Sequence, residues 1–479
     1  MSFLVYDLTL LILFIIFLSV FLYIRRKKIQ KEGLLHLYRT KWGIKLINYI
    51  GKRYKRTIKF LSYVSIIVGY ALMAGIIYLA ARIVWLYIFH PEIVRAIKVP
   101  PVMPLVPYLP QAFNISFLPN FYFVSWIIII AIIAITHEMA HGIVAAYNKI
   151  KIKSTGFGFF PFFLPIFLAA FVEPDEEKMA KKSKVKQMAM LSAGTFANII
   201  TGILFFGLMW IFFSLAFVPA GVVFDTYSYS VVNVSEIDSI NGICFATYEE
   251  AVMLVPEEGY VSVKTDKAAY LIDKKLIENE DNAILFKEGI LVLYDDAPAI
   301  RGGMTGAISE INGVKIDSIS KLSEEMDNYS PGDEITIQTI NNDSKKDYKI
   351  VLAENPEDKN DAWLGIGFFK NEKSGIIGNV VTLLSSFKDP HVIYEPKFGE
   401  LSQFIYNLFW WLVLICFSVA LVNMLPVGIF DGGRFFYLTI LAITRKEEIA
   451  KKTFKYLTWF FLFILALLMI LWVKSFIIR

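Results

Sequence analysis

The chain has 479 residues, 56% of them hydrophobic and only 19% charged, with a mean hydropathy of +0.54. A soluble domain of this length does not carry so apolar a composition, so the sequence reads as an α-helical polytopic membrane protein. The formal net charge of +5 is sorted by topology, which excludes nucleic acid as a partner and leaves the lipid bilayer as the first one.

Six stretches reach the roughly 20 residues that cross a bilayer: 8–24, 60–90, 121–147, 188–218, 402–425 and 454–475. The first lacks the small-residue cleavage pattern of a secretory signal and is expected to remain as an anchor. Behind it, residues 25–59 carry a run of Lys and Arg from Arg25 to Lys59 against the single acid Glu32. The positive-inside rule makes this loop cytoplasmic. Threading the spans from there puts the N-terminus and the Pro-rich segment 99–110 outside. The Lys/Arg-rich connections 149–153, 178–186 and 445–455 then fall inside. Residues 1–120 thus form an N-terminal block of two spans and a basic cytoplasmic loop.

The block 121–218 opens with the third span, an Ile-rich run that ends in His137-Glu138-Met139-Ala140-His141. Residues four apart on a helix share a face, so both imidazoles can reach one Zn²⁺ while Glu138 points to a water in its open position. Ionisable groups inside a membrane helix are costly, and a trio of them marks function. Counted from Lys149 at 1.5 Å per residue, His141 and His137 lie about 12 and 18 Å deep, inside the bilayer and nearer its cytoplasmic face. Next comes Gly156–Pro161 running to Phe171-Val172-Glu173, too short and too rich in Pro and Phe for a spanning helix and readable as re-entrant. In the fourth span, Gly194 serves either close helix packing or the catalytic site.

Residues 219–398 alternate apolar and polar positions between turn signals and carry about twice as many acids as bases, as suits an extracytoplasmic β-rich insert. The insert repeats itself at a period of about 70 residues. Ser235–Gly242 followed by Tyr248–Leu254 matches Ala307–Gly313 followed by Ile319–Met326, and each copy then has a Pro and a short strand, Val261–Thr265 and Ile335–Thr339. Strand, Asn-Gly turn, strand, helix and strand resemble the PDZ fold. The second copy adds Ala297-Pro298-Ala299 and a Gly302-Gly303 turn like the carboxylate-binding side of such a domain. A β-domain of no particular family is the other reading.

The last block, 399–479, holds the fifth span, which runs into Asn423-Met424-Leu425-Pro426-Val427-Gly428-Ile429-Phe430-Asp431-Gly432, and a C-terminal span. Pro426 and Gly428 break the helix and let an irregular segment turn Asp431 inward. Asp431 is the candidate third metal ligand; standing alone, it could equally cap a short helix starting at Gly432. Cys244 lies outside the spans and Cys416 inside one, which leaves no Cys-based metal site and no disulfide framework.

His137 to His141 in one span and Asn-x-x-Pro-x-x-x-x-Asp-Gly in a later span, with an insert between, resemble the paired motifs of the site-2 protease family of intramembrane zinc metalloproteases. The likeness extends over most of 121–440. It implies zinc held by His137, His141 and Asp431, with Glu138 as the base. It implies a membrane-dipping β-loop at 156–173 that meets an extended substrate strand, and it sets Asn198 near the active site. Asn198 and Asn423 are candidate donors to a substrate strand or an oxyanion. The expected function is the second cut in the release of membrane-anchored proteins, within a transmembrane protein substrate. Spans one and two match nothing in the family and read as an addition to its core. The competing classes are an ion-coupled transporter and an inactive membrane receptor. The absence of an inverted repeat, and Glu138 beside a metal-type His, tell against the first; the intact quartet tells against the second.

Overall fold

The computed structural model describes residues 3–32, 35–91, 94–95, 100–101, 103–113, 115, 118–159, 168–266, 268–341, 344–369 and 387–477. The turn of the 156–173 loop, with Phe160 and Pro161, lies outside the described residues, as do Val99 at the start of the Pro-rich segment and the stretch 370–386. The chain divides into two compact units, one of Met1–Phe212 with Gln403–Arg479 and one of Phe213–Ser402.

In the first unit, six described helices are long and apolar enough to cross a membrane. They are α1 (Phe3–Arg25), α3 (Lys55–Phe89), α4 (Phe123–Tyr147), α5 (Lys184–Ala216), α6 (Glu400–Asn423) and α8 (Glu447–Ile477), with two shorter helices, α2 (Ile44–Arg53) and α7 (Asp431–Thr444), between them. Long runs of Ile, Leu and Phe take this form because a helix satisfies every backbone group within itself, where no water does so. Along α4, Trp126, Ile129, Ile133 and His137 recur at three- and four-residue spacing and are all buried. The apolar members of that stripe share a core with Trp411, Leu412, Ile415 and Cys416 of α6. On its other side α4 meets α2 without space to spare. A Cβ at Gly51 would stand 2.8 Å from that of Ala146, and one at Gly142 would stand 3.0 Å from Ile47.

The basic loop is more than a topological marker. Residues Ile29–Glu32 and Leu35–Thr40 form an antiparallel hairpin, β1 and β2. It extends the ladder of β3 (Ile152–Phe159) and β4 (Leu168–Pro174) into one sheet of order β1-β2-β3-β4. The register pairs Tyr38 with Phe157 and Arg39 with Gly156. The approach is so close that a Cβ at Gly156 would lie 2.1 Å from the Tyr38 carbonyl oxygen. Arg39 also pairs with Glu173 of β4 at 3.0 Å. The N-terminal block thus supplies half the strands of this sheet. Charged four- and six-residue strands carry no pattern of their own, and their ladder partner lies over a hundred residues further along the chain.

The second unit contains two larger sheets with separate cores, beside two two-stranded ladders among the described residues. In one, the order is Tyr229–Asn233, Ile290–Asp295, Ala269–Ile272, Val261–Thr265, Ile237–Ile240, around Ile240, Val263, Ile272, Leu291 and Leu293. In the other, Ala307–Ile311 sits between Glu334–Asn341 and Phe217–Val222. Both have an Asn-Gly turn in the left-handed region, Asn241-Gly242 at φ 53° and 76° and Asn312-Gly313 at φ 48° and 84°, as a tight hairpin turn requires. Each then has a short helix, Tyr248–Met253 capped by Thr247 and Ile319–Met326 capped by Ser318.

Candidate metal centre

Two imidazoles and a carboxylate converge between α4 and the start of α7. His137 Nε2 and His141 Nε2 are 3.0 Å apart, and Asp431 Oδ2 lies 3.3 Å from the first and 3.2 Å from the second. Tetrahedral zinc with bonds of about 2.0–2.2 Å to N and O has ligand atoms about 3.3–3.6 Å apart. The three donors outline one face of such a tetrahedron, and this chemistry and spacing fit zinc. Asp431 reaches its place because the chain leaves α6 at Asn423, turns through 424–430 and restarts at Asp431. Gly432 and Gly433 let that turn fold onto α7, since a Cβ on either would fall within 2.3 Å of the Met424 or Val427 backbone. Phe430, not Asp431, is the N-cap of α7, and it makes no side-chain cap.

Gly194 packs directly against the imidazoles. A Cβ there would stand 2.4 Å from His141 Nε2 and 2.6 Å from His137 Nε2, so only glycine lets both rings face inward. The outer nitrogens are also held. His141 Nδ1 lies 2.6 Å from the Met190 carbonyl of α5, which accepts its N–H and leaves Nε2 for a metal. Asn198 Nδ2 lies 3.1 Å from His137 Nδ1, while the Asn198 amide oxygen is buried without a partner. Turned over, that amide sets its oxygen on Nδ1–H, the form in which His137 Nε2 is free to bind zinc. Asn198 is completely buried, with its side chain against His137. Asn423 lines the same cavity as the three donors, a space of about 750 Å³ reaching Ile130, Arg434 and Glu176.

Glu138 reaches from beside the two imidazoles to the sheet. Its Oε2 accepts the Val172 N–H at 2.8 Å. Since β3 is the only described neighbour of β4, this amide lies on the open edge of the sheet. His137, Glu138 and His141 also present donor atoms within 4.8 Å of one another, but Asp431 sits closer to both imidazoles. Sequence reasoning missed three parts of this surround. The Met190 carbonyl is backbone and carries no residue signal; Arg434 and Glu176 are ordinary surface types, joined here at 3.4 Å at the mouth of the cavity.

Among known proteins, zinc metalloprotease RasP of Shouchella clausii (strain KSM-K16) is 23% identical over 189 residues. That match covers 34% of this chain and 45% of RasP, so the chain spans about half the length of the curated relative it matches. The sequence profile of peptidase family M50 matches residues 125–469, which takes in α4, α5, the second unit, α6, α7 and most of α8. Six spanning-length helices and a His-His-Asp donor set within that range agree with the match: the chain belongs to peptidase family M50, the site-2 protease family of zinc metalloproteases.

Proposed function

We propose that this protein is a zinc-dependent endopeptidase that cuts transmembrane segments of membrane-anchored proteins within the bilayer, with His137, His141 and Asp431 holding the metal. The observation that carries the reading is the mutual spacing of the three donor atoms, 3.0, 3.2 and 3.3 Å, two of them on the spanning-length helix α4 and the third at the start of α7. When bound, zinc lowers the pKa of its water towards about 7 and polarises the scissile carbonyl. Glu138 takes the proton from the water and returns it to the leaving amine. The substrate helix must open before it can be cut, and the freed backbone groups need partners at that depth. The open edge of β4 offers them, so an extended substrate pairs there as an added strand. Glu138 then gives up the Val172 N–H to the incoming strand and turns to the water. Asn423, on the cavity wall, donates its amide to the substrate or the oxyanion. Asn198 fixes the His137 tautomer instead, a role one step removed from the one expected for it.

Metal analysis and cleavage of a membrane-anchored test substrate, run together on wild type and Asp431→Ala, test this reading. Wild type should hold one zinc per chain and cleave. Asp431→Ala should lose both, because two imidazoles alone bind zinc far more weakly than a three-ligand site. An Asp431→Ala protein with full zinc would place the third ligand elsewhere.

With the basic 25–59 loop on the cytoplasmic side, the active site lies nearer that face of the cell membrane and the 219–398 block is extracytoplasmic. There its tandem PDZ-like repeats screen substrates that an earlier cut has shortened. With Cys244 and Cys416 replaced, single cysteines in 25–59 should resist an impermeant thiol reagent in intact cells, and cysteines in 300–350 should react. The opposite pattern would overturn the charge argument.

A further inference from the structure

The first span carries one acid, Asp7, in an otherwise apolar helix. Its side chain has no part in the chemistry above, yet it is 1% exposed. Its carboxylate accepts three hydrogen bonds: from the Phe123 N–H at 2.7 Å, the Val124 N–H at 3.0 Å and the Tyr108 hydroxyl at 2.5 Å. Phe123 and Val124 are the first two residues of α4, the helix that carries His137, Glu138 and His141. The local N-cap, Tyr122, has no side-chain cap bond. A carboxylate from another span thus satisfies two of the free N–H groups that every helix leaves at its start, and it sits at the positive end of the helix dipole.

The surrounding groups are built to hold it there. Tyr108 adopts a left-handed backbone, φ 64°, uncommon for a side-chain-bearing residue and costly unless its neighbours require it. Its own N–H is tied to the Phe121 carbonyl at 2.7 Å, next to the start of α4. Burial first, and then the Asp7 carboxylate beside it, push the Tyr108 phenol well above its usual range, which keeps it a donor. One turn and two turns along α1 from Asp7, Leu11 and Phe14 pack on the core that contains Phe121, Phe123 and Trp126. At the far end of α1, Phe21 meets Tyr38 of β2 edge to face at 5.3 Å between centroids. The same span therefore touches α4 at its start and the active-site sheet near the catalytic end.

We infer that Asp7, seconded by Tyr108, is a positioning residue that pins the N-terminal end of the catalytic helix and so fixes the reach of His137, Glu138 and His141 towards Asp431 and β4. The inference rests on the assignment of those residues as the metal site and base. From Phe123 to His137 the helix rises about 21 Å, and a helix transmits an axial slip over that length without loss. A catalytic constellation has to be held to about 0.5 Å, so a slip too small to unfold anything is enough to slow the reaction.

The test uses the full-length protein in lipid nanodiscs with a membrane-anchored substrate, and compares Asp7→Ala, Asp7→Asn and Tyr108→Phe with wild type. Loss of a charged cap should lower kcat per zinc-loaded molecule about tenfold in Asp7→Ala with KM nearly unchanged. Asp7→Asn, which keeps one accepting oxygen, should fall between it and wild type, and Tyr108→Phe should show the smallest loss. Zinc exchanged for Co²⁺ gives an optical spectrum that reads ligand geometry, and that spectrum should shift in the same order. A merely stabilising role would reduce the yield of folded protein and leave kcat per bound metal and the Co²⁺ spectrum as in wild type. That result would overturn the inference, whether it came from Asp7→Ala or, should that variant not fold, from the milder two. A wild-type protein that bound no zinc or cut nothing would instead refute the metal-site reading, so the two failures are told apart.

Discussion

Glu138→Gln should retain zinc at the wild-type level and lose cleavage by about 10²–10⁴-fold, the usual contribution of a general base. The substitution keeps the shape of the side chain and leaves His137, His141 and Asp431 untouched. It removes only the ability to take a proton from water and hand it to the leaving amine. In the resting arrangement it also exchanges an accepting oxygen for an amide that can turn its own oxygen to Val172, so the 2.8 Å contact with the strand edge need not be lost. Metal content measured beside single-turnover cleavage separates the two functions. Near-normal turnover by Glu138→Gln would remove Glu138 from the chemistry, and loss of zinc would make it a ligand.

Gly194→Ala should have an effect as large by the opposite route. Its new methyl carbon would fall 2.4 and 2.6 Å from the two Nε2 atoms that face the metal position, and the rings can retreat only by giving up their convergence. Overpacking of a close-fitted interior costs about 1–3 kcal/mol by itself. Here the strain falls on the ligands, so zinc affinity should drop by at least about a hundredfold, the upper range seen when partners of metal ligands are removed. The same helix supplies the control. Gly207 has nothing within 4 Å of the position a Cβ would take, so Gly207→Ala should bind zinc and cleave as wild type does. Equal zinc affinity in both variants would mean that the imidazoles do not depend on Gly194.

The contrast between these two glycines shows what the sequence could and could not say. His137 and His141 are legible because helical spacing puts both imidazoles on one face, with Glu138 next to them in the motif, and Asp431 is legible because Pro426 and Gly428 announce a break beside it. Gly194 is visible only as a glycine in a span. What made it necessary is the position of two rings on another helix, which no local pattern encodes. The six long helices follow from apolar length, a signal strong enough to survive any packing. The hairpin at 29–40 does not, because its strands are short and charged and its ladder depends on residues far away in the chain. Asp7 left a readable trace that went unused: a lone carboxylate in an apolar span rarely stands without a partner. Its partners, two backbone amides and Tyr108, could not be named from the sequence. Asn198 was placed near the site by resemblance, but on which side of His137 it stood depended on the helix packing.

The joining of β2 to β3 also has a consequence in time. Thr40 at the end of β2 and Ile152 at the start of β3 are separated by 152 − 40 = 112 positions, which a ribosome working at about 5–20 residues per second needs about 6–22 seconds to cover. For that interval the hairpin edge waits without its neighbour while α3 and α4 are made. The Val172 N–H that donates to Glu138 is synthesised later still. Each new molecule therefore completes the outer edge of this sheet only after α4 has been produced.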